Sequence, residues 1–168
     1  VVRTLAKEEP ALRAVRFSRN FGKEAALRAG LEHATGDVVI VMDGDLQHPP
    51  ELIPEMVRLW RGESFEIVDA VKADRGRESM VYAYFSKAFY TMLNLLSGYN
   101  VKNSSDYKLL DRKVVNALLS MEESCTFFRG MTEWLGFRHG TVAMNVRERA
   151  AGTTSWSTLR LIRLALVA

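Results

Sequence analysis

Two aspartates one residue apart, Asp43 and Asp45, are the residues of this 168-residue chain best suited to chemistry with a hard cation. Gly44 lies between them, and Gln47 adds a neutral oxygen two residues on. An oxygen-only donor set suits Mg²⁺ or Mn²⁺ rather than zinc. Paired carboxylates repel each other unless a cation joins them. The run just before, Val38 to Met42, is apolar without interruption. It predicts a strand buried on both faces, as in a parallel sheet. The carboxyl end of such a strand is where open α/β sheets bind ligands. Pro49 and Pro50 then predict a helix start, because proline fits the first helical turn.

The flanking segments alternate in the same way. Leu12–Phe17 reads as a short strand, followed by a turn shaped by Asn20 and Gly22 and a helix over 23–34. A helix lined by Leu52, Met56 and Leu59 ends at Gly62, and a strand over 66–71 follows. Lys72, Arg75 and Arg77 come next, three cations in six residues that suit phosphate contact. Tyr82 to Leu96 reads as a helix that is buried or lies against lipid. A strand over 107–110 leads into a helix capped by Asp111, and a half-buried strand spans 141–147. Strands alternating with helices predict an α/β fold with a mainly parallel sheet, the 141–147 strand at its side.

Composition excludes some classes. Hydrophobic residues at 48% and charged residues at 26% describe a globular chain rather than a disordered one. The lone Cys125 rules out an internal disulfide. The net charge of +3 hides an asymmetry. Seven acids and two bases lie between Asp37 and Glu66, against five arginines and one acid between Arg138 and Ala168. An acidic centre and a basic end point to a metal site followed by a surface for phosphates or anionic lipid; no nucleic acid is expected as a partner. The apolar end, with Arg160 and Arg163 among leucines, reads as an interfacial helix approaching a membrane. His33, His48 and His139 show no pairing with an aspartate in sequence and read as structural or exposed.

The string Val38–Glu51, VVIVMDGDLQHPPE, resembles the D-x-D-L-Q-H-P-P-E signature of family 2 glycosyltransferases of the polyprenyl-phosphate type, the group of dolichol-phosphate mannose synthase and bactoprenol glucosyltransferase. SRNFGKEAALRAGLEHATGD, from Ser18 to Asp37, is similar to that family's N-F-G-x-x-x-A-L-x-x-G-L-x-x-A-x-G-D pattern. Asp106-Tyr-Lys-Leu-Leu110 resembles its D-[FY]-[RK]-L-[LM] motif, and Phe127-Phe-Arg-Gly and Trp134-Leu-Gly-Phe137 its helix and turn. Arg149 and Gly152 match R-x-x-G-x-S-K-Y, whereas Thr154 and Ser155 stand where serine and lysine are usual. One phosphate-binding cation is thereby missing.

The resemblance implies a glycosyltransferase-A αβα sandwich, truncated at the N-terminus and before C-terminal membrane helices. It divides the chain into a catalytic domain over 1–156 and an interfacial segment over 157–168. It implies metal-dependent inverting transfer of a sugar from a UDP- or GDP-sugar to a polyprenyl phosphate at the cytoplasmic face of a membrane, the bacterial inner membrane in particular. Asp43, Asp45 and Gln47 would hold Mg²⁺ or Mn²⁺. Asp45, Asp106 and Arg149 would carry catalysis, and Asn20, Gly22, Asp43, Lys72, Arg75, Arg129 and Thr154 would bind substrate. Homo-oligomerisation through membrane helices stays open. So do two other readings. A membrane-surface scaffold would bind metal weakly and independently of nucleotide. A haloacid-dehalogenase-type phosphatase would carry threonine or valine where this chain has Gln47.

Overall fold

The computed structural model describes residues 2–73, 105–121 and 127–145. Within them, helix α1 spans Val2–Glu8, α2 Lys23–His33, α3 Ile53–Glu63, α4 Arg112–Ser120 and α5 Phe128–Trp134. Strands β1 (Val38–Val41), β2 (Ile67–Lys72), β3 (Lys108–Asp111) and β4 (His139–Met144) form one sheet in the order β1-β3-β2-β4.

The sheet departs from the expected parallel arrangement. Strands β2 and β4 pair in parallel, but β3 lies between β1 and β2 and runs antiparallel to both. Thus β1, β2 and β4 share one direction and β3 opposes them. The reason is that β3 is buried, and a run such as Tyr-Lys-Leu-Leu offers no sign of which way it points. Leu12–Phe17 is a second departure. It forms no strand, and Leu12 and Val15 are exposed. A strand needs a neighbour to take its backbone hydrogen bonds, and no described strand pairs with this segment.

Helices cover both faces, giving three layers. On one face Leu31 of α2, Val114, Val115 and Leu118 of α4 and Phe128 of α5 pack on Val41, Ile67 and Leu110. On the other, Met56 and Leu59 of α3 pack on Val68, Ala70, Leu109, Val142 and Met144. The split follows from period-2 alternation along the strands: Ile67 and Leu110 point one way, Val68 and Leu109 the other. Burying each such aliphatic side chain stabilises the fold by about 1.5–3 kcal/mol. In β4, Val142 and Met144 are buried while Thr141 and Ala143 are exposed, the alternation its sequence predicts.

Local signals fix the element ends. Asp111 caps α4 by accepting from the Lys113 N–H at 2.9 Å, and its other oxygen accepts from Trp60 Nε1 at 2.7 Å, tying α3 to the cap. Pro50 opens a 3₁₀ turn (Pro50–Leu52) that runs into α3. Phe127 offers no side-chain cap to α5. Glu24 of α2 does so instead, accepting from the Phe128 N–H at 3.1 Å. Gly140 lies against Phe65, where an added Cβ would come within 2.6 Å of the ring. The Tyr82–Leu96 segment lies outside the described residues, as do Cys125, Val146 and residues 147–168.

Candidate active site

The strand directions bring four chain ends to one edge of the sheet. β1, β2 and β4 finish there, and antiparallel β3 begins there, with Val41 opposite Lys108 and Lys72 opposite Met144. Asp43 leaves β1 at this edge two residues beyond Val41, and Asp106 enters β3 two residues before Lys108. Residues 63 positions apart in sequence are thus neighbours in space.

Lys23, the first residue of α2, joins them. Its Nζ lies 2.6 Å from Asp106 Oδ2 and 3.0 Å from Asp43 Oδ1. Burial alone would lower the lysine's pKa, but the hydrogen bonds to Asp106 and Asp43 outweigh it, so the net shift is upward and the group stays an ammonium. Arg129 of α5 grips Asp106 from the other side with two bonds, Nε to Oδ1 at 2.7 Å and Nη2 to Oδ2 at 2.8 Å. Burial would raise the pKa of Asp106. The Arg129 fork and Lys23 reverse this and bring it down to about 2. Asp106 is therefore an anion at neutral pH and a poor proton acceptor.

The acidic loop is held from below. His48 Nδ1 accepts the Asp43 N–H at 2.9 Å, and the imidazole stacks on Tyr107 with ring centroids 4.9 Å apart. Burial lowers the His48 pKa, which keeps the ring neutral and Nδ1 free to accept. The Tyr107 hydroxyl donates to Pro49 O at 2.8 Å. Asp45 Oδ1 accepts the Gln47 N–H at 3.1 Å, closing a tight turn. Leu46 within it sits at φ 64°, a left-handed conformation unfavourable for a leucine, with its side chain 67% exposed. The string Gln-His-Pro-Pro thus shapes the loop and anchors it to β3.

Asn20 and Gly22 shape the turn into α2. Asn20 Oδ1 accepts the Gly22 N–H at 2.8 Å, and Gly22 takes φ 92°, where a side chain would be strained. Lys72 is exposed at the end of β2, on the same edge of the sheet as the acidic loop. Arg75, Arg149 and Thr154 lie outside the described residues.

A second charged cluster lies deeper on the same face, and the sequence reading missed it. Lys108 is fully buried and bonds the carboxylate of Asp69, which is itself only 3% exposed. His139 Nδ1 is 2.8 Å from Asp69 Oδ2, and Glu133 Oε1 is 3.8 Å from both Lys108 Nζ and His139 Nδ1. Burial pushes the Asp69 pKa up, but the bond from His139 and the charge of Lys108 hold it below the usual carboxylate range. Burial pulls His139 down, and its bond to Asp69 and the charge of Glu133 raise it overall. Its Nε2 is buried without a partner among the described residues.

Either cluster could concern a cation, and their donor sets differ. Asp69, Glu133 and His139 bring ligand atoms within 4.8 Å of one another. The Lys108 ammonium, itself fully buried, already stands among them, so this group carries its own cation. Asp43, Asp45 and Gln47 fit a divalent ion better. They offer oxygen donors on a half-exposed loop, leaving room for the waters and phosphate oxygens that Mg²⁺ retains. The lysine at Asp43 is 40% exposed on a flexible stem and can leave.

The family model described as glycosyl transferase family 2 matches residues 1–122. An uncharacterized glycosyltransferase of Synechocystis sp. is 40% identical over 156 residues, covering 92% of this chain and 49% of that protein. A prophage bactoprenol glucosyl transferase homolog of Escherichia coli is 36% identical over 99% of this chain and 54% of its own. A bactoprenol glucosyl transferase of Shigella phage SfX is 35% identical over the same shares. The chain spans about half the length of these curated relatives. The family model extends over α2, the acidic loop, strands β1 to β3 and Asp106 together, and on that match the chain belongs to glycosyl transferase family 2.

Proposed function

We propose that this chain supplies the catalytic centre for metal-dependent, inverting transfer of a sugar from a nucleotide-diphosphate sugar to a polyprenyl phosphate. One observation carries the reading: Asp43 and Asp106 converge at the sheet's ligand-binding edge, with cationic side chains between and beside them. The names of the bactoprenol glucosyl transferase relatives favour a polyprenyl acceptor. Asp43, Asp45 and Gln47 would hold Mg²⁺ or Mn²⁺. When bound, the ion supplies Lewis-acid neutralisation of the leaving diphosphate.

The chain's own residues then have separable tasks. Lys72 extends into solvent at this edge and can meet phosphate, with Arg75, Arg149 and Thr154 as further donors. Asp106, locked by Arg129, is a fixed anion at the sheet edge rather than a group that abstracts a proton. No base is needed. A phosphate monoester has a second pKa near ~6, so the acceptor oxygen is already largely deprotonated at neutral pH. That oxygen forms the new bond to the anomeric carbon as the bond to the diphosphate breaks, and the nucleoside diphosphate departs. A lipid acceptor sets the reaction at a membrane, on its cytoplasmic face where nucleotide sugars are available. None of the described helices is long and apolar enough to cross a membrane.

The test is mass spectrometry of lipid products made by the full-length protein from polyprenyl phosphate, Mg²⁺ or Mn²⁺, and a panel of UDP- and GDP-sugars. A polyprenyl phosphate bearing one sugar is expected. Release of free sugar alone, or of inorganic phosphate, would overturn the assignment.

A further inference from the structure

Beside the acidic loop, Lys23 does something the reaction as proposed does not require. Its ammonium is shared between two carboxylates of unequal standing. Asp106 is 11% exposed at its side chain and already bonded through both oxygens to Arg129. Asp43 is 42% exposed, and Lys23 is the cation bonded to it. The bond to Asp106 is the shorter, at 2.6 Å against 3.0 Å. The backbone beneath Lys23 is fixed by the Asn20–Gly22 turn, while the four-carbon stem above it can swing.

We propose that Lys23 is a displaceable resident cation of the metal loop: its ammonium neutralises Asp43 when no divalent ion is bound, and yields that carboxylate, while keeping Asp106, when one binds. This rests on the reading of Asp43 and Asp45 as metal ligands and adds a regulatory step to it. Three consequences follow from the geometry. Asp43 and Asp106 are kept from repelling each other in the resting protein. A divalent ion has to compete with an ammonium that is covalently tethered beside the site, which weakens its binding in the absence of donor. Once it has given up Asp43, the ammonium, still bonded to Asp106, has a donor face turned to solvent, where a diphosphate can meet it. Metal and donor therefore bind better together than apart, without any large movement of the backbone.

The experiment is titration of the full chain with Mn²⁺ alone, followed by calorimetry or by the loss of the free-ion EPR signal. Lys23→Met removes the tethered charge and keeps the stem. It should bind Mn²⁺ about 3- to 5-fold more tightly than the wild type, the scale of one exposed ion pair. Lys23→Gln should behave like Lys23→Met, and Lys23→Arg should stay within about twofold of the wild type, because the charge remains. Arg58→Met, which removes an exposed charge on α3, should change nothing. Asp45→Asn reports on the underlying reading and should weaken binding. If Asp45→Asn weakens binding but Lys23→Met and Lys23→Gln bind no more tightly than the wild type, the inference about Lys23 fails while the metal loop stands. If Asp45→Asn binds as the wild type does, both fail.

Discussion

Protonating Asp106 should cost the fold a measurable amount, and the amount can be worked from its surroundings. The carboxylate has three short charge-assisted contacts, two from Arg129 and one from Lys23, and only 8% of the residue is exposed. Its pKa falls from an ordinary 3.8 to about 2. By linkage a difference of that size is worth about 2 kcal/mol. Because the folded value is the lower one, the stabilisation is fully present above pH ~4 and is lost as pH falls towards ~2. Asp106→Asn removes the titrating group while keeping its shape. Urea unfolding of the wild type and the variant across pH 2–7 isolates the effect, since every other carboxylate titrates in both. The wild type should be the more stable by at least about 2 kcal/mol at pH 6, and most of that gap should close by pH 2. A gap of the same size at both ends would mean that the contacts do not distinguish the carboxylate from an amide, and the electrostatic account of Asp106 would be wrong.

Three further outcomes follow from the packing. Lys108→Met should destabilise the chain by ~3–5 kcal/mol, because it leaves the Asp69 charge buried without its ammonium. Adding Asp69→Leu should restore much of the loss, and chemical denaturation of the single and double variants decides it. Gly140→Ala should cost ~1–3 kcal/mol by driving a methyl into Phe65, with Phe65→Leu in the same chain giving part of it back. Tyr107→Phe should cost about 1 kcal/mol by losing the bond to Pro49 while keeping the stack on His48, measured by thermal or urea unfolding.

The parts of the site that sequence made legible are those built from contiguous residues. An apolar run ending in two acids is enough to place Asp43 and Asp45 at a strand's carboxyl end, and an aspartate before a helical pattern is enough to cap α4 with Asp111. What stayed hidden depends on pairing between distant segments. Leu12–Phe17 has the apolar residues of a short strand but no described strand beside it. The direction of β3 cannot be read from a segment buried on both sides. Asp69, Lys108 and His139 meet only because β3 and β4 flank β2. A signal was nonetheless present: one aspartate within Ile-Val-Asp-Ala-Val and one lysine within Tyr-Lys-Leu-Leu are opposite charges in two apolar strands, and buried charges of this kind occur in pairs. Lys23 read simply as the first residue of a helix. Its role depends on Asp106, 83 residues away, and sequence spacing does not carry that contact.

The most direct test of the central claim is sugar transfer to polyprenyl phosphate by the full-length protein carrying Asp45→Asn, measured beside its unfolding midpoint. Removing one of two mutually repelling carboxylates should leave the fold as stable as before or slightly more so. Metal-dependent formation of the lipid-linked sugar should fall to background at every Mg²⁺ or Mn²⁺ concentration tried. Near-normal turnover by a folded Asp45→Asn protein would contradict the account, because the acidic loop would then not be where the donor's diphosphate is held.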